Sequence, residues 1–300
     1  MLLTTRRVIL TVAATVALSA CANEIPSAPK QVAEAWPDET WEAPETAQPN
    51  TRRPRASTFA GGPKLREPFF SNEQLRRNFF AIAMRAEAAD DVDLAGNISV
   101  AKWTKPLRYQ LVDASPEDTA KVAALVERVH RLTGIDIAPA AAQEPNITVS
   151  FVPFRHRNNA VFQLTDRGAL GPAVGSMVMR WRDTEREKCL GLISVDPVSS
   201  AIAKADILIK DELPSRIRDA CIVEEIVQSL GLMNDDPRAR PSIFNDSQEF
   251  LDLTSHDEFL LRILYDSRVR PGMTLREMRP LVDQIIREVR PLSTLPRSEV

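Results

Sequence analysis

The placement of proline limits which part of this chain can fold. Between Ala22 and Pro68 the sequence is rich in proline, alanine, glutamate and threonine, with prolines at positions 26, 29, 37, 44, 49, 54, 63 and 68. Proline removes a backbone donor and clashes with the preceding helical turn, so neither a long helix nor a central strand fits here. We therefore predict a disordered tether over residues 21–68, one folded domain over residues 69–290 and a flexible tail over residues 291–300.

The first residues of the chain predict export. Arg6 and Arg7 form a positive start, an apolar run follows from Val8 to Leu18, and two small residues end the segment. The run is too short to span a bilayer comfortably, and the three-part pattern is typical of a secretory signal peptide over residues 1–20. A plain signal-peptidase site and an N-terminal membrane anchor are the alternatives.

The residues "LSAC", from Leu18 to Cys21, resemble the lipobox of bacterial lipoproteins. That resemblance implies that Cys21 becomes the acylated first residue of the mature chain, with palmitate among the chains that anchor it to a membrane. Ala22 rather than Asp follows, which by the same resemblance favours the outer membrane. We therefore expect a lipid-anchored protein of the bacterial cell envelope, on the periplasmic face of the outer membrane.

The charge and the cysteines restrict the partners and the redox state. The formal net charge is −3 and the basic residues are interspersed with acidic ones, so we expect no nucleic-acid partner. If Cys21 is acylated, Cys189 and Cys221 remain, and in an oxidising compartment we predict a disulfide between them. The alternative is two buried free thiols.

The periodicity of apolar residues predicts a domain with both helices and strands. Alternation in "PLRYQLV", "NITVSFV", "CLGLISVD" and "ADILIK" indicates four strands, and Ser115 to Gly134 has the caps of a helix. A helix that contains Glu224 follows the strands, and Thr254 with Asp257 forms the N-cap of a later helix. Capping boxes at Ser71 and Thr274 predict a first and an extra last helix. The order strand, helix, three strands, helix indicates an α+β or α/β sheet domain, of which we favour α+β.

The helix predicted from Pro214 to Gly231 has two different faces. At about 100° per residue, one arc holds only apolar side chains, those of Ile222, Val223, Ile226, Val227 and Leu230. The opposite arc holds Ile217, Cys221, Glu224, Glu225, Gln228 and Gly231. We expect the first arc to pack under the sheet and the second to line a cleft or face solvent.

The polar arc carries a specific resemblance. Residues 224–234 have the pattern E-E-x-x-Q-x-x-G-x-x-N, which resembles the H-E-x-x-H-x-x-G-x-x-H motif of metzincin zinc proteases. Glu224, Gln228 and Asn234 stand where that family has its three histidine ligands. Glu225 stands at the general-base position and Gly231 at the turn glycine.

The flanking sequence resembles the matrixin branch of that family. "PSIFND" looks like its Met-turn with Phe244 in place of methionine, "LTSHDEFLLRILYD" looks like its closing helix, and "AKWTKPLRYQLV" looks like its first strand. The resemblance covers residues 98–266 and implies a zincin-like fold, with a mixed sheet packed on helices. The chain also resembles an uncharacterised family of bacterial lipoproteins with the signature "EExxQxLGLxND", and that resemblance implies no activity.

Ligand chemistry argues against a zinc site, so we expect no cofactor. Gln228 and Asn234 offer neutral amide oxygens, which are weak zinc ligands, and one carboxylate at Glu224 does not make a site. The histidines, His130, His156 and His256, have no metal-ligand spacing to one another. Each is expected to be structural.

These residues therefore predict a protease-like domain that does not catalyse hydrolysis and binds a peptide or an envelope-protein partner. An active metal-dependent peptidase with unusual ligands is the main alternative. A calcium site at Glu224, Gln228, Asn234 and Asp235, or a metal-free hydrolase that uses Glu225 and His256, are two others. A buried helix whose polar arc only bonds neighbouring loops is the simplest.

Overall fold

A computed structural model describes residues 69–84, 99–166, 171–245, 250 and 252–290. The predicted signal peptide, tether and tail, and Cys21 with them, lie outside the described residues. Within the described ranges no helix is both long and apolar enough to cross a membrane.

A mixed five-stranded sheet organises the domain. Its strands are β1 (Leu107–Val112), β2 (Ile137–Pro139), β3 (Ile147–Val152), β4 (Cys189–Val195) and β5 (Ile202–Lys210). The spatial order is β2-β1-β3-β5-β4. Neighbouring strands are parallel except β4, which is antiparallel to β5. Strand β4 therefore lies at one edge of the sheet and β2 at the other.

Seven α-helices accompany the sheet in the described ranges. They are α1 (Asn72–Met84), α2 (Pro116–Thr133), α3 (Arg157–Asp166), α4 (Pro172–Asp183), α5 (Ser215–Gln228), α6 (Ser255–Leu264) and α7 (Leu275–Val289), with a 3₁₀ turn at Phe154–His156. This is the α+β architecture with a mixed sheet that the sequence predicts, and α7 is the expected extra C-terminal helix.

The predicted helix caps are present. Ser71 accepts the backbone N–H of Gln74 at 3.1 Å, and Ser115 caps α2 in a reciprocal capping box. Thr254 and Thr274 do the same for α6 and α7. These bonds satisfy backbone donors that the first turn of a helix leaves unpaired, which is why the sequence locates the helix starts well.

The two faces of the sheet support two apolar clusters. Ile207 and Ile209 of β5 belong to the large core with α2, α5 and α6, while Leu208 belongs to a smaller one. Successive side chains of a strand point to opposite faces, so the smaller cluster lies on the other face. There α3 and α4 cover the sheet through Val161, Leu164, Val178 and Trp181.

The predicted order of elements is wrong in two places. The three strands expected in succession are interrupted by α3 and α4, and the short strand β2 is an addition. Helix α3 packs only one narrow side on the small cluster, so its apolar periodicity is weak. Strand β2 is three residues long and ends in Pro139, which gives no alternation to detect.

Candidate functional site: the outer edge of strand β4

The hydrogen-bond register shows which backbone groups of β4 point away from the sheet. Lys210 N–H donates to the carbonyl of Lys188 at 3.3 Å, just before β4 begins. Residues that pair with β5 alternate with residues that do not. The alternate positions Cys189, Gly191 and Ile193 therefore direct their N–H and C=O groups outward, at the edge of the sheet.

Glu225 lies against this outer edge. Its carboxylate accepts the outward N–H of Gly191, and the residue is only 7% exposed. Burial raises the pKa of the Glu225 carboxyl well above its ordinary value, and the negative charges of Glu224 and Asp235 raise it further. The hydrogen bond from the Gly191 N–H lowers this pKa, but its effect is smaller than that of burial.

Gly191 is a glycine because of this contact. A Cβ atom at Gly191 would lie 2.5 Å from Oε2 of Glu225. Carbon and oxygen do not approach so closely without a bond, so the carboxylate occupies the space that any other side chain would need. The strand and the helix are thus fitted to each other at this position.

The predicted disulfide is present beside this contact. Cys189 and Cys221 are bonded, with their Cα atoms 5.8 Å apart. Cys189 precedes Gly191 by two residues on β4, and Cys221 precedes Glu225 by four on α5, which is one helical turn. A covalent link and a hydrogen bond therefore join the same strand and helix at adjacent points. On the chain-entropy model the disulfide contributes roughly 3–4 kcal/mol.

The polar arc of α5 is less exposed than the sequence predicts. Cys221, Glu225 and Gly231 are buried, and Glu224 and Gln228 are half-buried. These three residues therefore do not face solvent, because β4 lies against Cys221 and Glu225 and the carbonyl of Ala101 lies against Gly231. That the arc lines a cleft stays a prediction. The apolar arc is buried as predicted.

Gln228 and Asn234 have different hydrogen-bond partners. Gln228 Nε2 donates to Oδ1 of Asp235 at 3.0 Å. Asn234 Nδ2 donates to the carbonyl of Ile82 at 2.8 Å, and Asn234 N–H donates to the same oxygen at 3.1 Å. The two amides thus tie the loop after α5 to the helix and to α1. In the described part of the chain, no three His, Cys, Asp or Glu side chains are grouped as metal ligands.

The turn at Gly231 is fixed by residues that the sequence pattern does not reveal. Gly231 has a φ of 114°, and a Cβ there would collide with the carbonyl oxygen of Ala101. Trp103 Nε1 donates to the carbonyl of Ser229 at 2.8 Å, and the Tyr265 hydroxyl donates to that of Leu230 at 2.7 Å. These bonds satisfy carbonyls at the end of α5 that have no partner within the helix.

Phe244 lies in a buried turn held by Asp257. The Phe244 side chain is fully buried. The carboxylate of Asp257 accepts the Ser242 hydroxyl at 2.6 Å and the Ile243 N–H at 3.1 Å. The carbonyl of Phe244 accepts the N–H of Asp236 at 2.8 Å, which connects this turn to the loop that carries Asn234.

The three histidines contact residues other than those of the β4 edge. Nε2 of His256 is 3.0 Å from Nδ2 of Asn78 on α1, and the His256 ring is fully buried. His130 Nδ1 is 2.6 Å from the carbonyl of Ile135, and His156 lies on the exposed 3₁₀ turn. No hydrogen bond in the described residues joins a histidine to Glu225.

A comparison with protein families identifies the domain. Residues 72–284 match a family described as protein of unknown function, DUF2927. The chain belongs to the DUF2927 family. No curated protein and no solved structure matches it.

The matched range says which elements make up the DUF2927 domain. It begins at the first residue of α1 and ends inside α7. Helix α1, the first two thirds of α7, the whole sheet and the β4 edge with Glu225 therefore belong to the family's domain.

Proposed function

We propose that this DUF2927 protein is a lipid-anchored envelope protein whose metalloprotease-like domain binds an extended peptide, or an extended segment of an envelope partner, without cleaving it. The supporting observation is the outer edge of β4, where Cys189, Gly191 and Ile193 direct backbone groups outward. The "LSAC" sequence at Cys21 supports the anchor, and the tether would hold the domain away from the bilayer.

The two edges of the sheet differ in how well they resist pairing. Edge strands are usually protected by shortness, proline or charge. Strand β2 has the first two protections, since it is three residues long and ends in Pro139. Strand β4 is seven residues long, "CLGLISV", with neither charge nor proline. Within the described ranges no strand pairs with its outer side.

An extended peptide can bind such an edge by adding a strand. Glu225 already accepts the Gly191 N–H. The peptide backbone would therefore bond the outward groups on either side of it, those of Cys189 and Ile193, and its alternate side chains would pack beside the edge. Half-buried Ile193 and Leu192 offer apolar contact there. The disulfide to α5 fixes the strand in place, so little order has to be gained when a peptide binds.

The residues at the protease-like positions support binding without hydrolysis. Gln228 and Asn234 would present neutral amides to a metal, and both amides already bond neighbours. Glu225 is buried and bonds Gly191, whereas a general base must reach the water that it activates. An active peptidase with unusual ligands is the competing proposal.

The test uses a substitution that blocks only the outward N–H. Ile193→Pro removes a donor that β5 does not use, so the β4–β5 ladder keeps its bonds. Peptides from a random 12-residue display library should be enriched on the full wild-type chain and lost on Ile193→Pro. Ile193→Val, which keeps the N–H, is the matched control and should retain them.

The same peptides separate the two proposals. They are incubated with the full chain and Zn²⁺, and mass spectrometry then looks for new termini. We expect intact peptides. Cleavage that disappears in Glu225→Gln would establish the peptidase, and enriched peptides that bind Ile193→Pro as well as wild type would overturn the proposed edge site.

A further inference from the structure

Helices α3 and α4, with the 3₁₀ turn before them, form a surface with unusual apolar exposure. Helix α3 packs against α4, and both cover the smaller apolar cluster of the sheet. Outside that cluster large apolar side chains remain in water, namely Phe154 (66% exposed), Phe162 (65%), Met177 (40%) and Met179 (44%). Three such side chains on one helix pair and a fourth on the turn before it exceed what single scattered surface residues explain.

The charge of this helix pair differs from that of the whole chain. From Phe154 to Asp183 the described residues include four arginines and two aspartates, an excess of two positive charges, while the whole chain has a net charge of −3. Arg157 is buried in ion pairs with Glu185 and Glu212, and Arg182 pairs with Asp183 at 2.6 Å.

Two arginines remain accessible beside the apolar side chains. Arg155 is exposed next to Phe154. The Arg180 side chain is 57% exposed, and its Nε lies 3.9 Å from Glu187, which is the limit of an ion pair. Arginine places its stem along apolar surface and its charged end toward an anionic one.

We propose that the α3–α4 surface docks on an anionic phospholipid bilayer. Phe154, Phe162, Met177 and Met179 would enter the boundary between headgroups and acyl chains, and Arg155 and Arg180 would bind the headgroup phosphates. Charge complementarity favours an anionic bilayer as the partner, because apolar side chains flanked by arginine are the composition that binds an anionic membrane interface. The proposal is independent of the β4 edge.

Vesicle sedimentation tests the proposal directly. All proteins are full chains that carry Cys21→Ser, so that acylation does not contribute. Wild type should bind vesicles of phosphatidylglycerol and phosphatidylethanolamine (30:70) more tightly than phosphatidylcholine vesicles, and 0.5 M salt should weaken the binding. Arg155→Gln with Arg180→Gln should weaken it at least about tenfold, since each basic side chain near an anionic surface contributes about fivefold. Met177→Ser with Met179→Ser should weaken binding to a similar degree.

Matched controls show whether the effect belongs to this surface. Arg276→Gln removes one exposed charge on α7, and Val198→Ser removes a side chain that is 93% exposed after β4. Both should bind as wild type does. Equal binding to the two kinds of vesicle, or α3–α4 variants that bind like the controls, would overturn the proposal. If the α3–α4 surface binds a protein and not a membrane, its variants should bind vesicles like the controls, which would also overturn the proposal.

Discussion

Replacing Gly191 by alanine tests the fit between β4 and α5. The added Cβ would lie 2.5 Å from Oε2 of Glu225, well inside ordinary van der Waals contact. The carboxylate cannot simply turn away, because it is buried and accepts the Gly191 N–H. Overpacking of this kind costs about 1–3 kcal/mol, which in a domain of about 220 residues lowers Tm by about 2–12 °C.

Urea and thermal unfolding of Gly191→Ala measure this cost, with the disulfide kept oxidised. Glu225→Ala removes the colliding oxygen, so Gly191→Ala should cost about 1–2 kcal/mol less in that background. Gly175→Ala in α4 is the control, since nothing lies within 4 Å of its added Cβ. A helix-interior alanine there should stabilise by about 0.5–1 kcal/mol. A Gly191→Ala protein as stable as wild type, or a loss of stability equally large with and without Glu225, would contradict this fit between strand and helix.

The Glu225 carboxyl, the disulfide and Cys21 can each be tested separately. Because burial raises the folded-state pKa of Glu225 above its unfolded value, this group's stabilising contribution is complete below about pH 4.5. The contribution is lost as the pH rises toward the folded-state pKa. The unfolding free energy of wild type, measured by urea titration, should therefore fall with pH relative to that of Glu225→Gln. A difference between the two proteins that stays constant across pH would contradict this. Cys189→Ser with Cys221→Ser should lower stability by roughly 3–4 kcal/mol, and non-reducing peptide mapping should find the linked pair rather than two alkylatable thiols. Cys21→Ser should move the chain out of the membrane fraction and remove its acyl mass, whereas an unchanged fractionation would rule out the lipid anchor.

The sequence predicts those parts of the fold that depend on neighbouring residues. The capping boxes at Ser115, Thr254 and Thr274 act over three residues, and strand alternation acts over two, so both can be read locally. The disulfide follows from the small number of cysteines. The α+β class follows from the mixture of these signals.

The rest depends on contacts between distant residues. That β4 lies at the edge of the sheet is set by its pairing with β5, and no local pattern shows it. The sequence around Gly191 does not show why this position is a glycine, because the contact that requires it comes from Glu225 on a distant helix. Trp103 and Tyr265 reach the end of α5 from far along the chain. That the side chains of Glu224, Gln228 and Asn234 point to one place stays a prediction. The two amides bond different partners, Asp235 and the carbonyl of Ile82.

Amide hydrogen exchange of the full chain tests the central proposal most directly. It is measured with and without a peptide selected on wild type, at single-residue resolution across β4. The peptide should slow exchange at Cys189 and Ile193, whose N–H groups point outward, while Leu190 and Leu192 should change little because β5 already protects them. Protection that appears elsewhere and leaves Cys189 and Ile193 unchanged would contradict peptide binding at this edge.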